Sequence, residues 1–147
     1  MKRIEVQKAK QKSNEFFSLI ADPRTIIKLV DVPKADQHQE TQRPWKDKRV
    51  KEISKYVAGK QKINEDVESK KYARGLIPNS PILNIKNDKI LIKEEDGRFF
   101  IYLPENDNEF IHCNGSIEIL DGQHRLIAFS DEFIDAEFKD SITYQMN

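Results

Sequence analysis

The consecutive residues Asp121, Gly122, Gln123, His124 and Arg125 combine groups that can hold and act on a phosphate. Arg125 carries a permanent charge on a planar fork suited to bidentate phosphate contact. His124 can donate a hydrogen bond or serve as an acid or base near neutral pH. Gln123 supplies a donor and an acceptor, Gly122 lets a ligand approach the backbone, and Asp121 can cap a following helix. This set of residue types favours an anion-binding turn.

The flanking sequence predicts a strand before this turn and a helix after it. Apolar residues alternate along Ser116–Leu120, as in a half-buried strand, and a helix is expected from Gln123 to about Ser130. The first turn of a helix presents unpaired N–H groups, so its start attracts anions. The other interpretation is an ordinary strand–turn–helix corner, in which Arg125 pairs with Asp121 and His124 is simply exposed.

The remaining pattern predicts an α+β fold, with a small mixed β-sheet and flanking helices. Polar loops are expected at 31–42 and 104–109, and further strands at Arg3–Val6, Phe16–Ile20, Pro81–Lys86, Lys89–Lys93, Arg98–Leu103 and Ile142–Met146. The strands Pro81–Lys86 and Lys89–Lys93 are predicted to form a hairpin about Asn87-Asp88. Asp22-Pro23 provides the N-cap and first-turn proline of a short helix that continues to Leu29.

An amphipathic helix is expected between Pro44 and Gly59. Its apolar stripe contains Trp45, Arg49, Val50, Ile53, Tyr56 and Val57, and its outer face carries Lys46, Lys48, Lys51 and Lys55. Because Arg49 falls on the stripe, its charge needs a partner or a ligand. Arg49 either reaches toward the Asp121–Arg125 turn or forms a buried salt bridge with an acidic residue.

The 147 residues carry no net charge, yet the charge is unevenly distributed along the chain. Residues 1–75 hold 19 Lys and Arg against 11 Asp and Glu, whereas residues 76–147 hold 6 against 14. A basic half is typical of a surface that binds DNA or the acidic region of another molecule. It is equally consistent with a solvated, lysine-rich surface.

Other features narrow the class of protein. No apolar run approaches the roughly 20 residues of a membrane-spanning helix, and the N-terminus lacks the apolar core of a secretory signal. A single cysteine, Cys113, excludes an intramolecular disulfide and fits a reducing compartment. We therefore expect a cytoplasmic protein with no membrane partner.

His38, His112 and His124 are too scattered for a metal site, and there is no Walker P-loop or dinucleotide-binding glycine pattern.

The segment from Asp121 to Arg125, directly after an apolar strand, resembles the defining motif of the DGQHR-domain family, which includes the DndB-type proteins associated with bacterial DNA sulfur modification. Upstream, Arg43, Arg49–Tyr56 and Ile77–Leu83 are similar to a second part of the family pattern. The resemblance extends over most of residues 16–129. It implies a single DGQHR domain over residues 1–147.

The wider superfamily of ParB N-terminal domains and sulfiredoxins implies a ParB/sulfiredoxin-like fold in which a turn at a helix start holds nucleotide phosphates. By position, the residues facing the phosphates would be Gly122, Gln123, His124 and Arg125, with Arg49 as a further binding residue. The implied ligand is a nucleoside triphosphate, ATP or CTP, with or without Mg²⁺. The candidate catalytic residues are His124, as a hydrogen-bond or proton donor, and Asp121, which caps the turn and helps to hold the metal ion.

Two departures limit what the resemblance implies. Sulfiredoxins carry a reactive cysteine at the position of Gln123, and Cys113 lies outside the motif, so sulfiredoxin chemistry is not expected. DndB-type proteins are usually much longer, with extensive helical sequence after the motif. The chain is therefore expected to be a copy truncated at the C-terminus, a fragment or a minimal version of the domain.

Three functions stay open on this basis. The first is an enzyme of a DNA-modification or defence system that binds and hydrolyses a nucleoside triphosphate. The second is a regulatory module without catalysis, in which the basic N-terminal half binds DNA and the protein recruits DNA-modification proteins. The third is a remnant that makes protein–protein contacts only.

Overall fold

The computed structural model describes residues 1–31, 46–58 and 79–134. Its strands are β1 (Lys2–Gln11), β2 (Asn14–Ser18), β3 (Ile82–Ile85), β4 (Ile92–Glu95), β5 (Arg98–Leu103) and β6 (Ile117–Asp121). Its helices are α1 (Pro23–Ile27), α2 (Asp47–Ala58), α3 (Asp107–Cys113) and α4 (Gln123–Ile127). The expected loop beyond Asp31, the side chains of Arg43 and Trp45, the Ile77-Pro78 part of the family pattern and the expected strand Ile142–Met146 lie outside the described residues.

The described strands form two antiparallel sheets, so the α+β class is confirmed. One sheet has the order β2-β1-β5-β4, and the other pairs β3 with β6. Within the described ranges the parallel contact is an isolated bridge between Val30 and Ile117. The expected single mixed sheet is therefore wrong in detail, because the chain divides its strands between two sheets.

Strand β1 serves two partners in succession. Its first half, Lys2–Val6, pairs with β5, and its second half, Gln7–Gln11, pairs with β2. The strands expected at either end of this region are confirmed, and the polar residues between them extend β1 well beyond Val6. Pairing with β2 explains this extension, because the hydrogen bonds between two strands join backbone N–H and C=O groups and do not require apolar side chains.

The hairpin expected about Asn87-Asp88 is wrong. The chain does turn there, and the Lys89 N–H donates to Asn87 Oδ1 at 3.0 Å. However, β3 pairs with β6 and β4 pairs with β5, so the two strands belong to different sheets. The segment that connects β3 to β4 contains Ile90, which is 2% exposed and packs in the core between the two sheets.

The polar loop expected at 104–109 is also wrong in its second half, because α3 begins at Asp107. Asn106 caps this helix, and its side chain accepts from the Glu109 N–H at 2.9 Å. An asparagine N-cap followed by acidic residues in the first turn is a recognised helix start.

One cluster of buried residues joins both sheets to α1, α2 and α4. Its members include Val6, Ile26, Val57, Ile101, Ile117 and Leu126. Ser54 adds a polar link from α2, since its Oγ donates to the Phe133 carbonyl at 2.7 Å. None of the described helices is long and apolar enough to cross a membrane.

Candidate functional site

Gly122 forms the turn between β6 and α4. Its φ is +82°, in the left-handed region that L side chains rarely adopt. A Cβ placed on Gly122 would lie 3.1 Å from Pro81 Cα and 2.7 Å from a guanidinium nitrogen of Arg125. Both the backbone conformation and the close approach of Pro81 therefore favour glycine here.

The expected role of Asp121 as a helix cap is wrong. Asp121 is the last residue of β6, its side chain is 71% exposed, and the N-cap position of α4 is Gly122, with no side-chain cap hydrogen bond. Gln123 is half-buried at the first position of α4. Because α4 has only five residues, its dipole is small, and attraction for an anion must come from nearby side-chain charges.

The Arg125 side chain folds back over Gly122 and is 23% exposed. One guanidinium nitrogen lies 3.9 Å from Asp121 Oδ2, at the limit of an ion pair. Its Nε is buried and makes no hydrogen bond with any residue in the described part of the chain. A buried donor without an acceptor is unfavourable by about 1–3 kcal/mol, so Arg125 is suited to donate to an oxygen from outside the chain.

His124 contacts the start of α2. Its Nε2 accepts a hydrogen bond from the backbone N–H of Lys46 at 3.1 Å. Because Nε2 is the acceptor, the neutral ring carries its proton on Nδ1. Burial, followed by the positive charges of Arg49 and Lys46, lowers the pKa of His124. His124 therefore offers a neutral N–H donor near pH 7 rather than a positive charge.

Arg49 does not lie on the buried side of α2, as its place on the apolar stripe predicted. Arg49 is exposed, and the buried side of the helix is formed by Val50, Ser54, Val57 and Ala58. Tyr56, also expected on the stripe, is 40% exposed. A buried salt bridge for Arg49 is thus excluded. Its effect on the pKa of His124 places its charge close to the turn.

Two contributors to this site were missed from the sequence. Pro81, just before β3, packs its backbone against Gly122, and the N–H of Lys46 binds His124. Neither position has a local signal, because both contacts arise from segments far away in the chain. In the described ranges there is no group of three or more His, Cys, Asp or Glu residues that could hold a metal ion.

No protein-family model matches the chain, and neither a curated protein nor a solved structure does. The resemblance to DGQHR-domain proteins therefore depends on the motif residues themselves.

Proposed function

We propose that the turn from Asp121 to Arg125 binds the phosphates of a nucleoside triphosphate, ATP or CTP, in a DGQHR-type cytoplasmic protein of a bacterial DNA-modification or defence system. The observation that carries this proposal is the state of Arg125. Its Nε is a buried donor without an acceptor among the described residues, and its contact with Asp121 is long. A phosphate oxygen at the partly exposed guanidinium would neutralise its charge, and a small rotation of the side chain would bring Nε to the same acceptor.

Each neighbouring residue has a role in this proposal. The backbone at Gly122 and Gln123 faces the phosphate as a hydrogen-bond donor, and His124 donates through Nδ1. Arg49 adds positive charge from α2, the helix whose start contacts His124. In a hydrolytic reaction, the exposed carboxylate of Asp121 would bind Mg²⁺ carried by the triphosphate, and catalysis would come from positioning and charge stabilisation.

The alternative is a purely structural strand–turn–helix connection in which Arg125 only forms an ion pair with Asp121. A pair at 3.9 Å with a largely exposed carboxylate contributes at most about 1 kcal/mol to stability. Such a pair leaves the buried Nε unexplained. This difference makes the effect of removing Arg125 informative.

Isothermal titration calorimetry with ATP and with CTP, each with and without Mg²⁺, tests the proposal. Arg125→Ala should lower the affinity at least tenfold, because charge-assisted hydrogen bonds of about 1.5–3 kcal/mol each are lost. Arg125→Lys should restore only part of it, since an ammonium lacks the planar fork. Arg98→Ala is the matched control, because Arg98 is exposed and pairs with Glu5 on the four-stranded sheet.

Wild-type protein that binds neither nucleotide contradicts the proposal, as does an Arg125→Ala variant that only unfolds. Release of inorganic phosphate, measured on the same samples, separates an enzyme from a binding module. Binding without release would remove the catalytic roles of Asp121 and His124.

A second candidate is a DNA-binding regulatory module that recruits DNA-modification proteins. It is favoured by exposed lysines on the outer face of α2 and at the residue before this helix: Lys46, Lys48, Lys51 and Lys55. Exposed lysines that contact DNA phosphates release counterions, so affinity falls as salt rises. If these lysines only keep the surface solvated, removing them should not change how DNA affinity depends on salt concentration.

Replacing these four lysines by glutamine should weaken duplex DNA binding and flatten the log–log salt slope by about three to four. The matched control replaces four exposed lysines elsewhere, Lys28, Lys86, Lys89 and Lys93, which changes the net charge equally. Equal effects of the two quadruple variants would indicate a net-charge effect and would exclude α2 as the specific DNA surface.

A further inference from the structure

A cleft of about 490 Å³ opens between the four-stranded sheet and β3. Its volume lies within the range of pockets that bind ligands. Its floor and one end are apolar and consist of Val6, Pro23, Ile26, Ile92, Ile101, Ile117 and Leu126. The cleft therefore differs in chemistry from the polar turn at Gly122 to Arg125, which it adjoins through Pro81 and Leu126.

The two walls of the cleft are strand edges. Because successive side chains point to opposite faces of a strand, a cleft lined by a sheet face contacts alternate residues. Strands β2 and β3 instead contribute consecutive residues, Glu15–Ser18 and Ile82–Ile85. Within the described ranges, β2 pairs with β1 alone and β3 with β6 alone. Both strands thus present edge N–H and C=O groups, which are templates for a further strand.

Each wall also carries a large apolar side chain that is half exposed. Phe16 on β2 is 49% exposed, and Ile82 on β3 is 50% exposed. A strand placed between β2 and β3 would cover both of these side chains. Its own apolar side chains, at alternate positions, would point onto the floor.

The charge beside the cleft is positive. Val6 lines the floor, Lys8 and Lys10 follow at alternate positions on the same face of β1, and Lys12 lies in the turn directly after the strand. In residues 7–18 the one acidic residue is Glu15, which pairs with Lys8 at 3.0 Å. The excess positive charge is complementary to an acidic segment.

We propose that this cleft binds an extended peptide segment of a partner protein, with apolar residues at alternate positions and acidic residues at one end, by strand addition to β2 and β3. Main-chain hydrogen bonds would supply affinity, and the apolar floor would select the side chains. This inference does not depend on nucleotide binding at Arg125.

The full chain is the bait for a library of random short peptides displayed on phage, and the enriched peptide is then synthesised. We expect enrichment of alternating apolar residues followed by Asp or Glu. Phe16→Thr and Ile82→Thr should each weaken the binding of the synthetic peptide at least tenfold in fluorescence anisotropy. Ile111→Thr on α3 is the matched control, because Ile111 is 75% exposed and lies outside the cleft. This variant should bind the synthetic peptide with the same affinity as the wild-type protein.

Circular dichroism of each variant checks that it folds, which is expected since each substituted residue is 49% exposed or more. A peptide N-methylated at alternate amides separates strand addition from simple apolar contact, and it should bind at least tenfold more weakly. Unchanged binding of that peptide overturns the proposal, as does the absence of any enriched peptide. Sedimentation that shows a dimer abolished by Phe16→Thr would assign the cleft to a second copy of the chain and also overturn it.

Discussion

Gly122 and Gly97 have nearly the same φ in different surroundings. Their φ values are +82° and +78°, both in the left-handed region. A Cβ on Gly122 would meet Pro81 Cα and the Arg125 side chain, whereas a Cβ on Gly97 would have no atom within 4 Å. Comparing substitutions at the two glycines therefore distinguishes the cost of backbone strain from the cost of close packing at the candidate site.

We predict that Gly122→Ala lowers the free energy of unfolding more than Gly97→Ala does. Both substitutions incur the left-handed penalty of about 1–2 kcal/mol. Gly122→Ala adds the contact with the Pro81 backbone, which cannot move as readily as a side-chain end. Urea unfolding of the two variants measures the difference. Equal losses would mean that Pro81 does not restrict the turn.

The titration of His124, whose pKa is lowered chiefly by burial, makes stability depend on pH. The pKa of His124 is lowered in the folded protein, so the unfolded chain takes up a proton first as the pH falls. The stabilising contribution is present above the unfolded pKa, about 6.5, and is lost as the pH falls through the lower folded pKa. Protonation also removes the lone pair that accepts from Lys46.

We predict that wild-type protein loses stability relative to His124→Gln as the pH falls below about 6.5. Glutamine retains an acceptor for the Lys46 N–H but does not titrate in this range. Urea unfolding of both proteins across this pH interval provides the comparison. A difference that stays constant with pH would show that His124 does not contribute through its titration.

At the scale of elements, two buried serines show how α2 and β6 are attached to the rest of the fold. Ser54 on α2 donates to the Phe133 carbonyl at 2.7 Å and so links α2 to the turn after α4. Ser116, just before β6, is fully buried, and its Oγ makes no hydrogen bond with any described residue. Both residues are buried, at 9% and 0% exposure, but only the Ser54 hydroxyl has a hydrogen-bond partner among the described residues.

We predict opposite effects for Ser54→Ala and Ser116→Ala. Ser54→Ala should lower the free energy of unfolding by about 0.5–1.5 kcal/mol, because it removes a formed hydrogen bond. Ser116→Ala should leave stability unchanged or raise it, since burial of an unpaired hydroxyl is unfavourable. Thermal unfolding of the two variants gives the sign of each effect. A clear loss in Ser116→Ala would indicate an acceptor for its hydroxyl.

At the scale of the whole molecule, the rate at which the Cys113 thiol reacts with a reagent measures how often the core opens. It is 0% exposed, and its thiol lies 3.7 Å from the Lys89 carbonyl oxygen. Burial raises the pKa of this thiol, which lowers the thiolate fraction that reacts with disulfide reagents. Reaction therefore requires the core around α3 and β4 to open.

We predict that Ellman's reagent modifies native Cys113 at least about a thousandfold more slowly than the chain in urea, as expected for opening free energies of 5 kcal/mol or more. Cys113 is the single cysteine, so no other thiol obscures the measurement. The rate should rise in parallel with unfolding followed by circular dichroism. Rapid modification under native conditions would mean that Cys113 is reached by local opening instead.

The sequence by itself determined those features that depend on neighbouring residues. Asp22 before Pro23 begins α1, and its carboxylate accepts from the Arg24 N–H at 2.9 Å. The apolar alternation before Asp121 predicts β6, and the glycine after it predicts a tight turn. These features are readable because capping bonds and backbone conformation are set within a few residues.

The tertiary structure alone decided which distant segments meet. It separated β3 from β4, exposed Arg49, and placed Pro81 against Gly122. It also placed the guanidinium group of Arg3, from β1, 4.2 Å from the ring centroid of Phe100 on β5. Strand pairing and burial depend on the summed contacts of the whole core, so residues far apart in the chain decide them together and no local pattern contains the outcome.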